Sequence, residues 1–320
     1  LAAYDNQHYV PVRYFALFKP QSRTICLVLR KNGKFIPNAS ISGQSSSHRF
    51  YGSDALEAAI TGFESACGDL LEEFAAMDDL GSMNSKQFYS LLRWIGFQRA
   101  RTEAARSMDR PMWETMYRVL GEHAIVEGRP ALERPPDRDS QLAGMMDSLE
   151  HSRFLSRLTP YLLSNRTNRP LIFGDAPVVY FNSAFRHVVD RGVLGTQSPG
   201  LQIFAPIGNN KAIALFDPDY YRVRSSSDGE VRIRDLHDVA ALNALQIHSA
   251  AHAVYFSDTE FAPYVRDLWE QQRGRLRTHS ATILSYMESV GEDQEREVNV
   301  FFEPVVPYDL NLSFVSRQRR

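Results

Sequence analysis

The period of the apolar residues divides this chain in two. Up to about residue 126 they recur mostly at helical spacing, and after Pro170 they run in short unbroken blocks. The longest stripe, through Leu56, Ile60, Phe63, Cys67, Leu70, Leu71 and Phe74, predicts a helix over 54–77 capped by Ser53 or Asp54. The stretch Leu91–Ser107, LLRWIGFQRARTEAARS, predicts a second helix that starts from a cap at Asn84 or Ser85. Pro111 is expected to open a third, reaching Ala124. On the second helix the face through Leu91, Ile95, Gln98, Thr102 and Ala105 begins as a core stripe and then turns polar. Arg101 lies on a neighbouring line, so Gln98, Arg101 and Thr102 can converge on one partner.

Other signals frame these helices. A helix is expected from Val10-Pro11, with His8 just outside it. TICLVLR and FIPNASI flank KNGK, whose Asn32-Gly33 pair predicts a hairpin, and SGQSSS at 42–47 reads as a loop. EGRPALERPPDRDS at 127–140, with its prolines and mixed charges, reads as an exposed connection. Gln141–Asn165 reads as helical. Strands are expected in LIFGDAPVVYF, LQIFAPI, KAIALFD, GEVRIRD, HAVYFS and EVNVFFEPVV, with helices over Leu236–Ala251 and from Glu260 to about Ser289. The expected class is α+β, a helical N-terminal half packed on a mixed sheet formed mainly by the C-terminal half. Strands that are apolar on nearly every residue need cover on both faces. One elaborate unit over 1–320 is therefore expected, with a helix-rich subdomain at about 1–126 and a sheet-rich one at about 141–320.

Composition narrows the partners. Hydrophobic residues make up 43% and charged residues 23%, as in ordinary globular proteins. A net charge of −2 argues against broad nonspecific binding to nucleic acid. Cys26 and Cys67 are too few for a disulfide framework or a four-thiolate zinc site. No apolar run approaches the roughly 18–20 residues that span a bilayer, so no membrane partner is expected. No charged-then-apolar leader stands at the start, and an intracellular, cytoplasmic location is expected. The chain opens on Leu1, which suggests a processed product or a piece of a longer polypeptide.

Glycine-rich phosphate loops, the G-x-S-x-G elbow and H-E-x-x-H are all missing from the sequence. His248 and His252 stand at helical spacing but lack an obvious third ligand, so neither a metal site nor a cofactor is expected. Glu57 and Glu64 share one line of the first helix, where either can meet Arg101 as a buried ion pair or in a catalytic role. Asp175, in FGDAPVV, is either a strand-end catalytic carboxylate or the cap of its own turn. Arg13, Lys19, Arg23, Arg30 and Lys31 interleave with Tyr9, Tyr14, Phe15 and Phe18. That pattern fits a grip on single-stranded nucleic acid, or core aromatics among snorkelling charges.

Several of these pieces occur together in a set order. His8-Tyr9-Val10-Pro11 comes first, then Phe50-Tyr51 before a helix with Glu57 and Glu64, then Gln98-x-x-Arg101-Thr102, Asp175-x-Pro177 and Asn243. The order resembles family 4238 of the domain-of-unknown-function series, over most of residues 7 to 260. Its members share H-Y-x-P, Q-x-x-R-T and S-D-x-P motifs; here Gly174 replaces the serine. The resemblance brings no activity with it, but implies that His8, Glu64, Gln98, Arg101, Thr102 and Asp175 lie together. That inventory suits hydrolysis of a phosphodiester or other anionic substrate, with RNA or a nucleotide preferred. His8, Glu64 and Asp175 would be the catalytic groups, and Gln98, Arg101 and Thr102 would bind substrate. The alternative is a non-enzymatic structural or interaction protein with protein partners in a larger assembly, in which the cluster is a buried polar staple. A solvent-reachable cleft beside His8 and Arg101 favours the enzyme, and a sealed cluster favours the staple.

Overall fold

In the computed structural model, residues 6–48, 54–126, 128–130, 133, 135–289 and 295–318 are described. The Phe50-Tyr51-Gly52 stretch, the cap at Ser53 and the side chain of Glu57 lie outside them. The helices are α1 (Val12–Ala16), α2 (Asp54–Ala76), α3 (Ser85–Ala100), α4 (Glu103–Val126), α5 (Asp137–His151), α6 (Leu236–Ser249) and α7 (Ala262–Gln272). Pro11 stands just ahead of α1, where its missing N–H costs nothing. Asn84 starts α3 through a reciprocal box with Gln87: each side-chain oxygen accepts the other's backbone N–H, at 3.0 and 2.8 Å.

Four expected boundaries are corrected. The stretch over 91–107 is not one helix, because α3 ends at Ala100 and α4 starts at Glu103. Thr102 makes the break. Its hydroxyl accepts the N–H of Ala105 at 3.2 Å and donates to the carbonyl of Arg99 at 3.1 Å, which caps the new helix locally. Pro111 therefore opens nothing and lies inside α4. The helical reading of 141–165 fails after His151: a 3-10 turn over Ser152–Arg157 leads into the strand Thr159–Asn165, where Pro160 lacks the N–H a helix interior needs. Likewise α7 stops at Gln272, and Thr282–Ser289 pairs with Glu295–Phe302 as an antiparallel ribbon.

The strands form two larger sheets. Five run in the order Glu230–Ile233, Thr159–Asn165, Lys211–Phe216, Gln202–Pro206, Val179–Phe181, the first pair parallel and the others antiparallel. Four antiparallel strands run in the order Phe35–Ser40, Thr24–Leu29, Ala253–Phe256, Phe173–Gly174, so the first forty residues supply half of that sheet. Gly33, at φ 68, makes the tight turn of the expected hairpin. The short strand Asn6–His8 pairs with Ser46–His48, inside what reads as a loop by sequence.

Alternation along the strands sorts the core. Leu162, Ile203, Ile213 and Leu215 join Ile25, Leu27 and Tyr255 from the other sheet in one cluster. The α2 and α3 stripes, Ile60, Leu70, Leu71, Phe74, Leu91, Leu92 and Ile95, pack into the same cluster. Their neighbours Leu163, Phe204 and Phe216 face the opposite way, onto Leu242 and Leu245 of α6. Cys26, Val28, Val254 and Phe256 face α6 and α7. The class is α+β, with the helices mostly in the first half and the strands mainly in the second.

Gly96 lets α3 pack tightly on α5, since a Cβ there would lie 2.7 Å from the carbonyl oxygen of Ser148. We expect Gly96→Ala to lower stability by about 1–3 kcal/mol in urea unfolding through overpacking. Gly62→Ala, on an exposed helical position where a Cβ meets nothing, should raise it by about 0.5–1 kcal/mol.

Candidate functional site

The last turn of α3 builds two different environments. On one side Gln98, 1% exposed, donates from Nε2 to the carbonyl of Tyr9 at 2.9 Å. Arg101, also 1% exposed, donates to the carbonyl of His8 and pairs with Glu64 of α2. Its guanidinium lies 5.1 Å from the centre of the Phe97 ring. The two side chains thus pin the strand Asn6–His8, which as half of a two-stranded pair would be marginal on its own. Burial holds the His8 imidazole below its ordinary range, against the pull of Glu64 and the backbone at Ser42 and Ile41. The void beside Glu64, Phe97, Gln98 and Arg101 is about 20 Å³, room for one water and no substrate.

The remaining expected residues lie elsewhere. Thr102 caps α4, and its carbonyl accepts from Gln141 Nε2 at 3.0 Å. Asp175 is buried and accepts the backbone N–H groups of Ala251 and His252, at 2.7 and 2.8 Å, so it closes the turn after α6. Burial pushes its carboxyl up, while His252 and those backbone groups pull it back. Thus His8, Glu64, Gln98 and Arg101 come together, Thr102 faces a different space, and Asp175 is bonded to another segment. His248 lies at the end of α6 with Nε2 against Gln272 Oε1 at 3.2 Å. Among the described residues no group of three or more His, Cys, Asp or Glu side chains could hold a metal ion.

On the other side of the α3 terminus lies a cleft of about 600 Å³, walled by α4, α5, the end of the strand at Val179–Phe181 and the root of the ribbon. Sequence reasoning missed its chemistry. Arg99 lies over the Tyr180 ring, 4.1 Å from its centre, and pairs with Glu303, whose other oxygen accepts from Arg277 Nη1 at 2.7 Å. A third of the Arg99 side chain, 32%, still faces the cleft. Burial acts to raise the Glu303 carboxyl, but the two guanidinium groups hold it below the ordinary glutamate range. Burial pushes the Tyr180 phenol up to about 12.

Asp109, on α4, has its carboxyl pushed up to about 6, by burial first and by Glu303 next, while Arg99 draws it down. Among the described residues it has no ion-pair partner and accepts no hydrogen bond. On the facing helix His151 Nδ1 lies 3.0 Å from both the backbone and the carboxylate oxygen of Asp147. Two acceptors make Nδ1 a donor, and in the neutral ring the lone pair is then on Nε2. The only advance signal for this pair was its i, i+4 spacing on a helix. A charge-inverting triad of Arg99, Glu303 and Arg277 has no local signal at all.

A family model described as "Protein of unknown function (DUF4238)" matches residues 6–260. The chain belongs to the DUF4238 family. No curated protein and no solved structure matches it. The DUF4238 segment contains Arg99, Asp109, Asp147, His151 and Tyr180, and ends before Arg277 and Glu303.

Two outcomes separate the environments. Arg101→Ala should cost about 3–5 kcal/mol in chemical denaturation because it strands Glu64 and the carbonyl of His8, and Arg101→Lys should not restore it. Arg13→Ala, which breaks exposed pairs to Asp69 and Glu72, should cost about 1 kcal/mol or less. For Asp109 the folded carboxyl binds its proton more tightly than the ordinary 3.8, so its contribution is present at acid pH and is lost as pH rises through about 6. Asp109→Asn should therefore gain stability relative to the parent between about pH 4 and about pH 7.5, by up to about 2 kcal/mol, in unfolding curves taken across that range.

Proposed function

We propose that this DUF4238 protein is a hydrolase of an anionic substrate, a phosphodiester being the class that suits it, and that the cleft is its active site. The observation that carries this reading is Asp109: a carboxyl pushed up to about 6, without a partner among the described residues, opposite an arginine in an open cleft. Its proton fits transfer to a leaving oxygen. His151 Nε2, oriented through Nδ1 by Asp147, fits removal of a proton from the attacking water. In that step the water oxygen bonds to phosphorus, the bond to the leaving oxygen breaks, and each oxygen exchanges one proton with its side chain. Arg99 and Arg277 supply positive charge where the negative charge grows. Gln98, Arg101, Glu64 and His8 then serve as the staple that holds the α3 terminus, and Asp175 fastens the turn beside Ala176, which lines the cleft.

A non-enzymatic role in a larger assembly is the second reading. It draws on apolar residues of α4 that stand in solvent, Leu120, Ile125 and Val126, the last 85% exposed.

Screening the full chain against RNA, single-stranded DNA and mononucleotide esters tests the first reading. Turnover should fall by about 10²–10⁴-fold in Asp109→Asn and in His151→Ala, with no loss of melting temperature in the first. It should also decline as pH rises through about 6, as Asp109 loses its proton. Absence of turnover on every substrate, or full activity in both variants, would overturn the hydrolase and leave the assembly role.

A further inference from the structure

Glu303 occupies an unusual position. Its two carboxylate oxygens are divided between two guanidinium groups, Oε2 to Arg99 and Oε1 to Arg277, at the wall of a cleft large enough for a nucleotide-sized molecule. One negative charge between two permanent positive ones leaves a surplus of one while Asp109, in the same cleft, holds its proton. Arg277 also keeps a donor in reserve: its side chain is 7% exposed, and its Nε is buried with no hydrogen-bond partner among the described residues. Glu303 meets Arg277 through Nη1 alone, and the Nε–H is left without an acceptor among the described residues.

We infer that Arg99 and Arg277 form the seat of a phosphate monoester dianion, and that Glu303 holds this seat with its own carboxylate until such a group displaces it. The inference rests on the cleft being the substrate site, and names the group it recognises. A tetrahedral phosphate offers three terminal oxygens and two charges. It can take the Nε–Nη fork of Arg277 and a bond from Arg99 together, which Glu303 does not. The two arginines are held for this purpose. Arg99 is stacked on Tyr180 at the end of α3, and Arg277 is enclosed. Glu303 follows the last ribbon residue, Phe302, on backbone outside any strand or helix, so no ladder hydrogen bond has to break for its side chain to turn aside. Beyond the seat, Met108, Met112, Trp113 and Leu194 supply an apolar wall with one flat ring. That wall suits an aromatic body attached to the phosphate, as in a nucleotide.

Two sources share this chemistry, a free mononucleotide and the phosphorylated end of an RNA strand. Calorimetric titration of the full chain with AMP, adenosine, inorganic phosphate and a short RNA with and without a 5′-phosphate distinguishes them. The expected result is a phosphate-bearing probe binding at least about tenfold more tightly than its phosphate-free counterpart. Preference for AMP over adenosine identifies the free nucleotide, and preference confined to the RNA pair identifies the strand end. Glu303→Gln is the decisive variant, because it keeps the shape and removes the competing charge. It should tighten phosphate binding several-fold, whereas a purely structural triad predicts no gain. Equal binding of both members of each pair, in the parent and in Glu303→Gln, would overturn the seat. The readout is binding, so a loss of the hydrolase reading through silent turnover assays would leave this result standing, and the reverse also holds.

Discussion

A guanidinium that is always charged and 1% exposed has to be paired completely, and Arg101 sets much of this structure through that requirement. Its partners come from three places in the chain: the carboxylate of Glu64 on α2, the carbonyl of His8, and the Phe97 ring one turn back. Gln98 adds the carbonyl of Tyr9. Together they fix where α2 meets α3 and where the first strand lies. The position of Arg99 follows, because a residue two places along the same backbone turn must point to the other side.

The sheets pose a second requirement, cover for both faces. α6 answers it for both sheets at once, with Leu242 and Leu245 on one and Ala244 and Ile247 on the other. Its polar residues do a different job. Asn243 Oδ1 and Gln246 Oε1 accept the backbone N–H groups of Ile172 and Gly174, at 2.9 and 3.0 Å, so side-chain amides supplement the pairing of a two-residue strand. Ser249 and Asp175 continue the same fastening, through the carbonyl of Ala176 and the turn at Ala251–His252. The result is a rigid floor under Ala176, Val178 and Tyr180, which form part of the cleft wall.

Arg99 and Arg101 show how little residue type says about role. Both end α3 and both pair with a glutamate. Arg101 is sealed between helices, where the balance of charge and hydrogen bonds is complete. Arg99 pairs with a glutamate that it shares with Arg277, in a cleft that also holds Asp109, which has no partner among the described residues. The polar turn in the stripe at Gln98 and Arg101 was legible and pointed to the right helix end. It identified the fastening and not the cleft on the opposite side.

The sequence by itself determined the features that act within a few residues: the α2 stripe, the Asn84–Gln87 cap, the Asn32-Gly33 hairpin, and the apolar blocks that became the strands at 202–206 and 211–216. Even the partner of Arg101 was among the carboxylates that helical spacing offered. Only the tertiary structure decided the rest. The break at Arg101–Thr102 arises because one hydroxyl caps a new helix, a choice that helix propensity does not resolve. The strand at 159–165 forms because Leu162 and Leu163 are wanted on opposite faces of a sheet whose other strands lie far along the chain. The cleft is the extreme case. Arg99, Asp109, His151, Tyr180, Arg277 and Glu303 belong to six separate segments, and no local pattern relates them, since their electrostatic coupling exists only once packing has excluded most of the water between them.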